Sequence, residues 1–229
     1  MHKIVLYIII LIFLPFKCFA HTDHYENIKN IKMEIFKDGK VIGFNNYFFS
    51  KDNETLTIKN KTEFDVYLLK IKIFSFKSNS QEIYKNNKLL SFNSRTIQNN
   101  KEKFVKLSID DKNQNYKIEG SSYQGTANLQ IVIGSWWNHN ILQSRNSISP
   151  VSGSIRNQEI NFIKSEKLNL FGKNYETKKF QITSKKDKLD NKEIILDIWI
   201  DVNTNHILKI AYFKFGLWEY KLRSINYLD

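Results

Sequence analysis

The residues best suited to chemistry gather at the N-terminal end and near the middle of the chain. His21-Thr-Asp-His24 follows Ala20, and a cut after Ala20 would give His21 a free α-amine. Amine and imidazole together chelate copper, with His24, His139 or His206 offering a second imidazole and Tyr25 an oxygen. Terminal residues fray unless tied down, so His21 and His24 stand as a secondary alternative and no metal site is assigned. The second place is Ile133-Gly-Ser-Trp-Trp-Asn-His-Asn140, where two of the four tryptophans sit side by side. Paired acids occur at Asp110-Asp111, Glu63/Asp65 and Asp197/Asp201. The first pair precedes Lys112-Asn113 and reads as a turn, and the last lies on the polar face of an alternating strand. A glycine-rich phosphate loop, a G-x-S-x-G elbow and an H-E-x-x-H helix are all missing. The sequence therefore nominates no catalytic residue and no cofactor.

The ends say where such chemistry would operate. Lys3 followed by the apolar run 4–13 and the small residue Ala20 has the order of a secretory signal peptide. Residues 1–20 are expected to be removed, leaving 21–229 as a single β domain that is periplasmic or secreted. The run is short for a spanning helix of about 20 residues, and an uncleaved anchor is the alternative. Cys18 would suit a lipoprotein, but Phe16 and Lys17 stand where small residues belong. Cleavage would remove that cysteine, the only one in the chain, and exclude disulfides. The formal charge of +12 becomes +10 without Lys3 and Lys17. The lysines are scattered and form no nucleic-acid pattern, so nucleic acid is excluded as a partner. Peripheral contact with an anionic membrane, worth about 1 kcal/mol per well-placed lysine, is the electrostatic alternative to a merely solvated surface.

The elements that must position these residues alternate with period two, the mark of a strand with one buried face. Ile31, Met33 and Ile35 lead into Asp38-Gly39, a tight-turn signal, and residues 41–49 return as the second strand. The apolar phase slips between Leu68 and Leu69, which predicts a β-bulge there. Further strands are expected at 81–84, 89–97, 104–109, 116–119, 129–133, 155–163, 175–183, 193–202, 206–215 and 218–227. Asn203-Thr-Asn205 reads as a turn, and a short helix is expected around 138–143. The predicted fold class is mainly β: one large curved antiparallel sheet, a half-barrel or open barrel, with little helix.

Aromatic residues make up 14% of the chain, and many fall in strands. A core capped by rings would use them structurally. An apolar cleft would use Trp136, Trp137, Trp199, Tyr212 and Trp218 to hold a lipid or other apolar small molecule. The leading function is non-catalytic binding of such a ligand. The alternatives are a structural or interaction module that meets an envelope protein, and a cofactor-free enzyme. The Trp pair is expected to fold over the rim of the sheet, with His139 at the surface or hydrogen-bonded.

Four segments occur in a telling order: IFKDGKVIGFNNYFF, KLLSFNSRT, GSWWNHNILQSRNSISPVSGSI and ILDIWIDVNTNHILKIAY. They resemble a family of uncharacterised exported proteobacterial proteins, a domain of unknown function. Trp136-Trp137-Asn138 falls where that family carries Tyr-Trp-Asn. The family is distantly similar to the lipoprotein-carrier (LolA-like) fold, which implies a curved half-barrel, a helical lid and binding of lipid or acyl groups. The chain departs from that pattern in lacking an amphipathic helix for the lid, and the resemblance carries over no catalytic residue.

Overall fold

A computed structural model describes residues 25, 27–110, 112–184 and 193–228. The expected signal segment, Cys18, His21, His24 and Asp111 lie outside them. Fifteen strands run in chain order: β1 (Ile28–Lys37), β2 (Lys40–Asp52), β3 (Thr55–Leu68), β4 (Ile71–Lys85), β5 (Lys88–Gln98), β6 (Lys101–Asp110), β7 (Asn115–Gly120), β8 (Gln124–Asn128), β9 (Val132–Ile133), β10 (Asn146–Ile148), β11 (Ile155–Leu170), β12 (Lys173–Ser184), β13 (Ile194–Asp201), β14 (Ile207–Phe213) and β15 (Leu217–Tyr227). A short 3-10 helix spans His139–Leu142, within the predicted helical stretch.

Turn chemistry makes the sheet a meander. Asp38-Gly39, Leu69-Lys70, Asn86-Asn87, Asn99-Asn100 and Phe171-Gly172 each join two strands with both residues at positive φ. This two-residue geometry matches the twist of the flanking strands and makes them antiparallel neighbours. The order is β8-β7-β6-β5-β4-β3-β2-β1-β15-β14-β13-β12-β11-β10-β9, so β1 and β15 join the two halves. Among the described residues only β9 and β10 pair in parallel. The sheet does not close into a barrel, yet its edge strands β8 and β9 are consecutive in the chain. Four residue steps separate Asn128 from Val132, which limits that gap to roughly 14 Å. A fifteen-stranded sheet meets that limit only by curling through nearly a full circle.

Three expectations change. Leu68–Leu69 is not a bulge: β3 ends, Leu69-Lys70 reverses the chain, and the phase slip is the turn itself. A register shift does occur beside it, at Val66/Tyr67. Residues 129–133 contribute only the two-residue β9, because the preceding edge strand is β8. Finally, Trp136-Trp137 does not fold over a rim. The connection 129–154 enters the concave face and carries Ile131, Ile133, Trp137, Ile141 and Ile148 into the core. Its far turn rests on β5–β7: Ser94 Oγ donates to Pro150 O at 2.6 Å and Ser122 N to Ser152 O at 2.9 Å. Gly120 permits the approach, since a Cβ there would lie 2.6 Å from Ser152 O. An irregular plug thus occupies the concave face.

Candidate functional site

The plug is anchored by one carboxylate. Period two along β4 puts Phe74, Phe76, Ser78, Ser80, Glu82 and Tyr84 on the concave face. Glu82 is 2% exposed and accepts from Tyr84 Oη at 2.7 Å, Ser135 Oγ at 2.6 Å and Trp137 Nε1 at 2.9 Å. It forms no ion pair with a described residue, and burial raises its pKa against the pull of the three donors. Trp137, 1% exposed, meets Tyr25, Phe49 and Tyr84 edge-on at 4.9, 5.6 and 5.7 Å. Tyr25 Oη lies 3.0 Å from His139 Nδ1, and its ring lies 5.7 Å from that of His206. Tyr47 Oη accepts from Trp136 N at 3.0 Å, and burial pushes its pKa far up. A carboxyl group held by three donors and walled by rings acts as a fastener.

The concave face keeps one aromatic surface outside the plug. A row of cross-strand partners runs Phe180, Ile198, Ile210, Tyr220, Ile35, Gly43, Phe64, Phe76 from β12 to β4. Gly43 lies midway, and a Cβ there would fall on the Glu63 carbonyl oxygen and the Phe64 side chain. Strands β3 and β15 are three spacings apart, roughly 14 Å on a flat sheet. Across the gap at Gly43, however, the Phe64 and Trp218 rings meet edge-on with centroids 5.5 Å apart. Phe64 also stacks on Phe76 at 4.9 Å and Phe74 at 5.9 Å, and Trp218 stacks on Tyr212 at 6.0 Å. Burial lifts the Tyr212 hydroxyl pKa to about 12. Lys37 Nζ lies 5.5 Å from the Trp218 ring, donates to the Phe215 carbonyl, and pairs with Asp38 at 2.8 Å.

The five aromatic residues singled out from the sequence therefore separate. Tyr212 and Trp218 stack in the wall, and Trp136 reaches toward it through Tyr220 at 6.4 Å. Trp137 is sealed in the core. Trp199 lies on the opposite, convex face, since its partners on β12 and β14 are Lys179 and Lys209 while the neighbouring Ile198 faces inward. Its indole donates to Glu166 at 2.7 Å, and Lys179 and Lys209 lie 4.8 and 4.7 Å from its ring. Alternation along β13 shows this in the sequence, since Trp199 is in phase with Asp197 and Asp201 and out of phase with Ile198 and Ile200. Asp201, expected on a solvated face, is buried and holds the β13–β14 turn through Thr204 Oγ1 at 2.8 Å and Asn203 N at 3.1 Å. Asp110 accepts from the Lys112 and Asn113 amides, as its turn reading requires. Glu82 was missed; extending the Phe74/Phe76 phase along β4 would have placed it inside.

Comparison with known proteins bears on the fold. A β-barrel-like protein of another domain of unknown function, DUF1849, from Brucella abortus superposes with a TM-score of 0.59 at 9% identity, covering 87% of this chain and 97% of that one. A protein of YmcC-like fold from Bacteroides fragilis, described as exported, gives a TM-score of 0.32 at 10% identity over 86% and 94% of the two chains. No curated protein matches the sequence. Residues 33–223 match the family model of DUF6134, and the chain belongs to that family, a domain of unknown function.

Proposed function

We propose that the chain is an exported, non-catalytic protein that binds an apolar or amphiphilic ligand on the aromatic wall formed by Phe64, Phe74, Phe76, Tyr212 and Trp218. The observation that carries this reading is the Phe64–Trp218 contact across the gap at Gly43, which gathers rings from β3, β4, β14 and β15 into one surface. Glu82, Tyr47 and Ser94 are engaged by hydrogen bonds that fasten the plug, and this favours binding over catalysis. The signal segment supports export, with cleavage after Ala20.

The plugged interior also favours a second reading, a structural or interaction module of the cell envelope whose rings serve as core. One titration separates the two. Tryptophan fluorescence of the purified chain is followed as oleate or lysophosphatidylglycerol is added below its micellar concentration. Ligand binding predicts saturable quenching that Trp218→Ala abolishes and Trp199→Phe preserves. Absence of saturable quenching would favour the module.

A further inference from the structure

Two hairpin tips beside the wall carry residues that the fold does not use. The β3–β2 ladder ends at Phe64–Gly43, so Asp65 to Leu68 form an extension of about 13 Å that is unpaired on the β2 side. On this first tip Tyr67, Leu68, Leu69, Ile71 and Ile73 are each more than half exposed, Leu69 to 88%. The β14–β15 turn lies at the same end of the sheet. Its Leu217 carbonyl accepts from Asp38 N at 2.8 Å, tying it to the β1–β2 turn, and alternation of the strands puts the β1–β2 and β3–β4 turns together. Phe213 and Phe215 stand on this second tip, 80% and 92% exposed. The Phe64–Trp218 contact brings the bases of the two hairpins side by side.

Turn chemistry does not account for these side chains. Leu69 and Phe215 hold φ of 49° and 51°, a left-handed conformation disfavoured for large L residues and tolerated by asparagine. The β4–β5 and β5–β6 hairpins fill the positions of Leu69-Lys70 with Asn86-Asn87 and Asn99-Asn100. Leucine and phenylalanine in these places oppose both backbone preference and solubility, which points to a surface that receives them.

We propose that the β3–β4 and β14–β15 tips dock the protein on an anionic lipid bilayer. The charge pattern selects this occupant. Segments 67–73 and 213–217 contain Lys70, Lys72 and Lys214 and no acidic residue. Lys72 leans on Asp65 at 3.5 Å, while Lys70 and Lys214 are exposed and form no ion pair with a described residue. Apolar side chains interleaved with lysines on narrow tips enter the interfacial region while the ammonium groups stay with the phosphates. The docking edge adjoins the aromatic wall and stands independently of whether that wall holds a ligand.

Cosedimentation of the exported, purified chain with phosphatidylcholine vesicles, with and without phosphatidylglycerol, tests this. Wild type should favour the anionic vesicles by about tenfold or more, and added salt should reduce the preference. L69N/F215N should lose that binding with its melting temperature unchanged or raised, because asparagine suits both turns. K70E/K214E should lose the preference for phosphatidylglycerol. Absence of vesicle binding by wild type, or undiminished binding by L69N/F215N, would overturn the proposal. So would self-association that L69N/F215N abolishes in place of vesicle binding, which would make a second copy the occupant. L69N/F215N should keep the saturable oleate quenching while losing the vesicles, so failure of the ligand reading and failure of this one remain distinguishable.

Discussion

The indole Nε1 of Trp137 lies 2.9 Å from Glu82 Oε1, joining residues 55 positions apart and pinning the plug to the C-terminal part of β4. The bond makes the tryptophan more than a filler of the concave face. Trp137→Phe keeps most of the ring but leaves a buried carboxylate with two donors in place of three. Loss of a donor to a buried carboxyl group costs about 1–3 kcal/mol, and urea unfolding of W137F should show a loss of that size. The double variant E82Q/W137F should lose less than the sum of the single changes, because the two residues are coupled.

Glu82 also sets a pH dependence. Burial raises its carboxyl above the ordinary 4.5, against hydrogen bonds from Ser135, Trp137 and Tyr84. The folded state then holds the proton more tightly than the unfolded state. The group's contribution to stability is full below the unfolded value and is lost as pH rises through the folded one. Glu82→Gln removes the titration, so its stability relative to wild type should improve as pH rises through that window and then level off. Urea titrations of both proteins at successive pH values measure the difference; a flat difference would contradict the shift.

Glu219 behaves in the opposite sense. Burial acts to raise its pKa, but hydrogen bonds from Lys209 at 2.7 Å and Lys221 at 2.8 Å bring it below the ordinary value. A lowered carboxyl contributes stability that is present above its unfolded pKa and lost as pH falls through the folded one. Lys209 and Lys221 are direct cross-strand partners, and Glu219→Gln would leave two ammonium groups opposed without their anion. E219Q should be less stable by about 1–2 kcal/mol near neutral pH, and the difference should vanish in acid. Thermal unfolding at both pH values checks this.

Gly43 controls the aromatic wall through what it lacks. A methyl group there would meet the Glu63 carbonyl oxygen and the Phe64 side chain, neither of which can retreat without moving β3. Overpacking of this kind costs about 1–3 kcal/mol. Gly43→Ala should therefore lower the melting temperature and shift the Trp218 emission, since the Phe64–Trp218 contact spans that residue. A stable G43A with native emission would show that the strands can part without disturbing the wall.

Much of this architecture was legible because alternation and turn chemistry agree along most of the chain. Asp38-Gly39 read as a turn, the long alternating runs became strands, and short loops between them require an antiparallel meander. Legibility failed where one signal impersonated another. Leu69-Lys70 is a turn made of strand-like residues, so the reversal looked like a slip of phase. Along β4, Ile83 is the apolar residue of Gln81–Tyr84, yet Glu82 and Tyr84 face inward because the connection 129–154 supplies their partners. No local pattern announces a contact between residues more than 50 positions apart. Composition and strand placement nominate Tyr212 and Trp218 without grouping them with Phe64, because that convergence depends on how tightly the sheet curls.

Leu69 offers the sharpest separation of folding from function. Its φ of 49° suits asparagine, and at 88% exposure its side chain contributes almost nothing to the core. Leu69→Asn should raise stability by about 0.5–1 kcal/mol in urea unfolding, the usual yield of matching a surface residue to its backbone. The reciprocal change Asn99→Leu, at a φ of 46° in the β5–β6 turn, should lower stability by a similar amount. If both hold, the fold is better served by asparagine at residue 69, and the leucine is explained only by something outside the chain. A destabilised L69N would instead mean that the leucine packs against its own protein, and the exposed tip would then be part of the fold.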